Sequence, residues 1–308
     1  MNEWRLIELD RGDSGVRVDR VLLRHVRDVP RVSRNQIQKW IESGDVLING
    51  APPPRPAWRV QSGDELRVRV AERRPRLKPR AERIPLDVLY EDDHMLVVNK
   101  PPGLVVHPSY KNTSGTLMNG VLAHAEVWPV GSKPALLGRL DKNTSGVVIV
   151  TKRPSVHAAL QRAMDARRID KDYLAIVWGK PVPVRGTIDL ALDRDPWDQR
   201  RVVVTDRGGQ PSVTKYERLE SRGGRSLLRC RLITGRTHQI RVHLAAKGWP
   251  IVGDATYGRQ NDGFPRQALH SWRVSFRHPI EKTAICITAP LPDDMRDLAK
   301  GSGIFFEN

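Results

Sequence analysis

Asp141 stands in the segment GRLDKNTSGVVIV (138–150), with Arg139 two residues before it and Lys142 directly after. Neighbouring cations favour the charged form of a carboxylate. A loop that runs straight into an apolar strand is a common seat for reacting groups. The ordinary alternative is an Asx turn in which Asp141 caps nearby N–H groups. A second cluster lies in ITGRTHQIRVHL (233–244), where Arg236 opens an expected helix and His238, Arg241 and His243 follow. A guanidinium fork at a helix start suits a carboxylate or a phosphate. His238 and His243 are separated by one step more than the i, i+4 spacing that shares a helical face, so they make a poor metal pair. Tyr173 begins the apolar run YLAIVW, where an aromatic ordinarily packs beneath a sheet. Leu269 and His270 lead into a strand-like run in ALHSWRVSF (268–276). The chain has no phosphate-loop GxxxxGK[ST], no dinucleotide GxGxxG, no paired CxxC and no GxSxG elbow. That excludes the usual apparatus of nucleotide hydrolysis, redox cofactors and serine hydrolysis.

The elements that must hold these residues alternate irregularly. Strands are expected at 95–100, 146–152, 172–179 and 225–233, and helices at 156–169 and 236–248, with a polar loop and short helix within 107–124. Mostly strands with a few inserted helices, and no regular βαβ series, indicate an α+β fold with a mixed, mostly antiparallel sheet. Ahead of it, Val18, Val21, Leu22 and Val26 repeat at helical spacing. Ser33 is placed to cap a second helix carrying Ile37, Trp40 and Ile41, which Gly44 ends. VLINGAPP then reads as a strand entering an Asn-Gly turn, and ELRVRV as a strand with alternating faces. Between these parts, AERRPRLKPRAERIP (71–85) is rich in proline and arginine and has no apolar period, as in an extended basic linker. The expected plan is a small α+β unit at 14–72, a linker at 73–85 and a large unit at 86–300.

The 308 residues carry 52 Lys and Arg against 35 Asp and Glu, a formal net charge of +17. Such an excess suits a polyanion, although a merely soluble surface has the same composition. The basic polar faces of the two N-terminal helices, with Arg17, Arg20, Arg34 and Lys39, are either ordinary wetted surface or an RNA contact. The two cysteines, Cys230 and Cys286, make neither a disulfide framework nor a zinc site. No stretch reaches the ~20 apolar residues of a membrane helix. The polar start MNEWRLIELDRGDSG has no secretory apolar core. A reducing, cytoplasmic setting without membrane attachment is the expectation.

Taken together, GRLDKNTSG (138–146), KDYLAIVWG (171–179), LITGRTHQIRVHLAAKGWPIVGDATYG (232–258), ALHSWRVSF (268–276) and VVNKPPGLVVHPS (97–109) resemble the RluA/RluD class of RNA pseudouridine synthases. The likeness covers about 86–298, in family order. Residues 16–72 resemble the small S-four-type RNA-binding domain often fused ahead of this catalytic domain. The resemblance implies an isomerase that converts uridine in RNA to pseudouridine without metal or organic cofactor. It implies Asp141 as the residue that starts glycosidic-bond cleavage, as a nucleophile at the ribose or through a glycal. It implies Tyr173 as the tyrosine that stacks on the flipped base, Arg139 as an aid to flipping, and Leu269 as an apolar wall under the uracil. Arg236 is the first choice for the basic partner of Asp141, with Arg241 in reserve. Arg17, Arg20, Ser33, Arg34 and Lys39 are the RNA-contacting candidates of the small domain.

Two departures stand out. Gly138 occupies the place where many members have His, and QRRVVVTDRGGQPSVTKYE (199–217) lacks the Lys-Met pair expected in its first strand. The expected partner is a structured RNA, ribosomal before transfer RNA, acted on by a monomer. The competing classes are a non-catalytic RNA-binding assembly factor on the same scaffold and a nucleobase glycosylase using the same Asp. Retention of Asp141, Tyr173 and Arg236 argues against the first, and free uracil as a product would identify the second.

Overall fold

The computed structural model describes residues 4–26, 28–29, 32–70, 79–108, 113–259 and 262–306. The chain divides into two units, Met1–Leu77 and Lys78–Asn308. Residues 73–78 of the expected linker lie outside the described residues, and 79–85 have no regular structure.

The first unit contains β1 (Trp4–Ile7), α1 (Val18–His25), α2 (Arg34–Glu42), β2 (Val46–Ile48) and β3 (Leu66–Arg69). Its strands form one antiparallel sheet in the order β1-β3-β2. The apolar faces of α1 and α2 meet that sheet in one core containing Val18, Leu22, Ile37, Trp40, Val46 and Leu66. The Ser33 hydroxyl accepts the Gln36 N–H at 3.3 Å and so starts α2. Asn49 and Gly50, at φ 52° and 81°, make the tight turn that follows β2.

The second unit contains β4 (Asp87–Glu91), β5 (Met95–Lys100), α3 (Leu117–His124), β6 (Ala135–Leu137), β7 (Ser145–Thr151), α4 (Pro154–Asp165), β8 (Asp170–Trp178) and β9 (Arg185–Asp189). After these come β10 (Leu192–Arg194), β11 (Val202–Val204), β12 (Val213–Arg222), β13 (Arg225–Leu232), α5 (Gln239–Ala246), β14 (Leu269–Arg277), β15 (Ala284–Thr288) and α6 (Asp293–Gly301). Ten strands form a mixed sheet along the path β4-β5-β7-β14-β8-β13-β12-β9, with β6 beside β7 and β15 beside β14. The fold is α+β, with antiparallel pairs throughout this sheet except for β7–β14, which is parallel.

The unbroken apolar runs of β5 and β7 are explained by burial on both faces. Met95, Val97, Val147 and Ile149 pack with Val156 and Leu160 of α4. Leu96, Val98, Val148 and Val150 pack with Leu117 and Val121 of α3. The seam between β7 and β14 pairs Ser145 with His270 and Gly146 with Ser271. Gly146 sits at φ 109°, and a Cβ there would lie 2.1 Å from the Ser271 carbonyl oxygen. Only glycine fits both the conformation and the space.

Candidate active site

Asp141 lies in the loop between β6 and β7, one turn before the seam. Each of the next four residues is gripped from another element. Lys100, fully buried, donates to the Lys142 carbonyl at 2.9 Å as well as to those of Pro101 and Leu104. Arg266 donates to the Asn143 carbonyl at 3.1 Å, and the Gln267 amide to the Thr144 hydroxyl at 3.2 Å. The Ser145 hydroxyl bonds His270 Nδ1 at 2.9 Å. The Lys142 and Asn143 carbonyls, which would otherwise need water, are thus paired with buried donors, and the Thr144 and Ser145 hydroxyls are held as well, so Asp141 is presented from a fixed base.

Arg241 meets it from the first turns of α5. Its Nη1 donates to Asp141 Oδ2 at 2.9 Å, while Nε and Nη2 donate to the two oxygens of Asp254 at 2.6 and 2.8 Å. Asp254 also accepts the N–H groups of Thr256 and Tyr257. Burial works to lower the Arg241 pKa, and the two carboxylates outweigh it, so the net shift is upward. Burial likewise works to raise Asp254, and Arg241 with the two amides brings it below the usual carboxylate value. The His238 ring stands 3.8 Å from Asp141 and bonds the Tyr257 hydroxyl at 2.9 Å. Burial keeps that imidazole's pKa low against the pull of Asp141.

Tyr173, on β8 beside the seam, is buried and shares a hydrogen bond with Ser271. Burial pushes its phenol up to about 12, with the Asp141 charge acting in the same direction. Leu269 of β14 pairs with Ala175 of β8 and is also buried. Arg139 donates to the Thr237 hydroxyl at 2.9 Å and ties the Asp141 loop to the approach of α5. All six residues singled out in the large unit, Arg139, Asp141, Tyr173, Arg236, Arg241 and Leu269, line one open cavity of about 800 Å3.

The expected pairing of Arg236 with Asp141 is corrected by this geometry: Arg241 makes that ion pair. The helix begins at Gln239 and not at Arg236. The Gln239 side chain accepts from the Arg236 N–H and the Thr234 hydroxyl and donates to the Val213 carbonyl and the Thr214 hydroxyl. That pins the turn ahead of the helix and leaves the exposed Arg236 directed at the Pro211 carbonyl.

Asp141, Tyr173, Arg241 and Leu269 thus line one cavity, and comparison with known proteins decides the family. A family model described as RNA pseudouridylate synthase matches residues 94–246. The chain is 39% identical over 316 residues to the protein named ribosomal large subunit pseudouridine synthase D of Xylella fastidiosa, covering 96% of this chain and 93% of that one. The chain belongs to the RNA pseudouridylate synthase family.

Another synthase of that family, the uncharacterized RNA pseudouridine synthase YlyB of Bacillus subtilis, is 39% identical over 86% of this chain and 88% of its own. The solved structure of human RNA Pseudouridylate Synthase Domain Containing 4 shares the fold, with a TM-score of 0.61 at 24% identity over 72% of this chain and 95% of that one. An S4 domain model matches residues 16–66.

Within that S4 domain the RNA-contacting candidates differ in what they are doing. Arg17 and Arg34 both pair with the buried Asp19, which fixes their guanidinium forks. Arg20 and Lys39 are not engaged by any side-chain partner among the described residues. Ser33 is spent on capping α2. The residues that sequence reasoning passes over are Lys100, Asp254, Tyr257, Arg266 and Gln267. Lys100 and Asp254 fall inside the family motifs, but nothing in their spacing marks a buried donor or the second partner of an arginine. Among the described residues no helix is long and apolar enough to cross a membrane.

Proposed function

We propose that this synthase isomerises specific uridines of a structured RNA, large-subunit ribosomal RNA in first place and transfer RNA in second, with the Asp141 carboxylate opening the glycosidic bond. The observation that carries the reading is the Asp141–Arg241–Asp254 chain set into the wall of a cavity that also holds Tyr173 and Leu269. The +17 charge and the S4 domain support an RNA substrate. The name of the Xylella fastidiosa relative supports the large ribosomal subunit, and with it a cytoplasmic place of work.

Arg241 occupies Oδ2, while Oδ1 has no hydrogen-bond partner among the described residues. One oxygen is oriented and the other is left for the substrate, the arrangement a carboxylate nucleophile needs. Extruding a uridine from a stack takes a few kcal/mol, and stacking on an aromatic ring returns about 1–3 kcal/mol. Tyr173 supplies that platform as a neutral phenol, since its pKa is pushed up to about 12. Leu269 walls the uracil ring, and Arg139 at the mouth of the loop fills the space the base leaves. In the reaction the N1–C1′ bond breaks, the uracil turns, C5 bonds to C1′, the C5 proton leaves to solvent and N1 takes one up. The RNA is rearranged with no net atom gained or lost.

The test maps pseudouridine by carbodiimide-blocked primer extension in RNA from cells lacking the gene, complemented with the wild type or with Asp141→Asn. Sites that vanish and return only with the wild type establish activity, substrate and the need for Asp141 together. Filter binding of the purified variant should show RNA affinity close to wild type, because the lost group acts in chemistry. Free uracil and an abasic site would make the enzyme a glycosylase, and RNA affinity lost along with activity would remove Asp141 from the chemical step.

A further inference from the structure

Lys171 lies on β8 two residues before Tyr173, so the two side chains leave the same face of the strand. It lines the catalytic cavity with Arg139, Asp141 and Tyr173, and also an adjoining recess bounded by Arg139, Leu140 and Tyr173. Its ammonium has one polar contact among the described residues, the Met164 sulfur at 3.3 Å, and a thioether is a weak acceptor. Its neighbours in sequence are carboxylates, yet both serve other cations. Asp172 is held by Arg231 and Arg273, and Asp170 by Arg231. Beside the ammonium the chain leaves room. Gly138 is at φ 81°, and a Cβ on it would lie 3.5 Å from the Lys171 nitrogen. Burial draws the pKa of this amine down.

A cation drawn out of water without an oxygen acceptor is costly to maintain. The arrangement is explained if the acceptor arrives with the ligand. A charged acceptor returns roughly twice what a neutral one does, and RNA presents one anionic phosphate per nucleotide. We propose that Lys171, beside the side-chain-free Gly138, forms a phosphate subsite for the nucleotide that enters the cavity. The inference rests on the RNA reading above and adds a contact that positions the backbone while Asp141 and Tyr173 act on the base and sugar.

The test uses the full chain with Lys171→Met and Lys171→Arg on an RNA carrying the mapped uridine, and on the same RNA with methylphosphonate at the phosphate 5′ or 3′ of it. Lys171→Met should raise Kd and KM about tenfold and reduce the slope of log K against log salt by about 0.7–0.9, with kcat little changed. Lys171→Arg should recover most of the affinity. The thermal midpoint of Lys171→Met should not fall, because a poorly paired ammonium is removed. One methylphosphonate should weaken the wild type by a similar factor and leave Lys171→Met unaffected. Equal sensitivity of both proteins to every methylphosphonate overturns the subsite, as does a fall in kcat at unchanged KM. A wild type that isomerises RNA and is matched by Lys171→Met rejects the subsite alone. A wild type that isomerises no RNA rejects the function and the subsite with it.

Discussion

Arg241 is shared between two carboxylates of unlike exposure: the Asp254 side chain is 1% exposed and that of Asp141 is 27% exposed. Taking the guanidinium away strands Asp254 in the interior with two amides for company. Breaking a buried pair on one side costs about 3–5 kcal/mol. Arg241→Met should therefore lower the stability measured in urea by that much and abolish single-turnover isomerisation, whereas Arg236→Ala should leave stability unchanged and act mainly on KM. A variant at 236 that loses all activity with its fold intact would return the basic partner's role to that position. The same pair sets an acid limit. The folded pKa of Asp254 is depressed, so its contribution is complete above the unfolded value near ~4. It is lost as pH falls through the lower folded value. Thermal midpoints of the wild type should drop steeply below about pH 4, and those of Arg241→Met less steeply, since the pair is already gone. At this scale the sequence is half informative. Asp141, Tyr173, Arg139 and Leu269, each singled out in a motif or by the resemblance, line one cavity. The choice between two arginines in one motif depends on where a helix starts. That start is settled by Gln239 reaching back to β12, an interaction that no local spacing records.

The strands that periodicity finds easily are β5, β7 and β8, because each carries a continuous buried apolar run. Strands β4, β6, β9, β10, β11, β12 and β15 are short, edge-lying or mixed in pattern, and they draw their stability from partners distant in sequence. The parallel contact of β7 with β14 is of that kind, and the site depends on it. It joins the strand that follows Asp141 to the one that runs beside Tyr173. Gly146→Ala would place a methyl group 2.1 Å from the Ser271 oxygen in a left-handed conformation, and strain with overpacking costs roughly 1–3 kcal/mol for each. The expected result is a lowered urea midpoint with activity reduced more than folding alone accounts for, since Asp141 and Tyr173 lose their common frame. A variant that unfolds at the wild-type midpoint and turns over normally would show that the seam does not position the site. The neighbouring His270 is pushed down to about 4 by burial, with the Ala289 carbonyl opposing and Arg266 assisting. Its neutral ring thus supports the seam fully above its unfolded value near ~6.5 and progressively less as pH falls toward about 4.

Across the whole chain, the residues matched by the RNA pseudouridylate synthase model and by the S4 domain model fall in different units, each with a core of its own. The cavity lined by Asp141 and the described groups that bond its loop all belong to the second unit. The first unit offers Arg20 and Lys39 as cations open to a ligand, with Arg17 and Arg34 oriented by Asp19. A chain beginning at Lys78 should therefore fold cooperatively and keep kcat on a short RNA bearing the target uridine, while its affinity for a long structured RNA falls. Every phosphate that the first unit neutralises in the full chain steepens the dependence of log K on log salt by about 0.7–0.9, so the truncated chain should show a flatter slope. The two proteins then differ most at low salt and come together at high salt. If the truncated chain keeps the full salt slope, the first unit takes no part in holding the phosphate backbone, and the basic residues of the catalytic unit carry the whole of it. If it loses kcat as well as affinity, the S4 domain does more than concentrate substrate and helps to bring the uridine to Asp141.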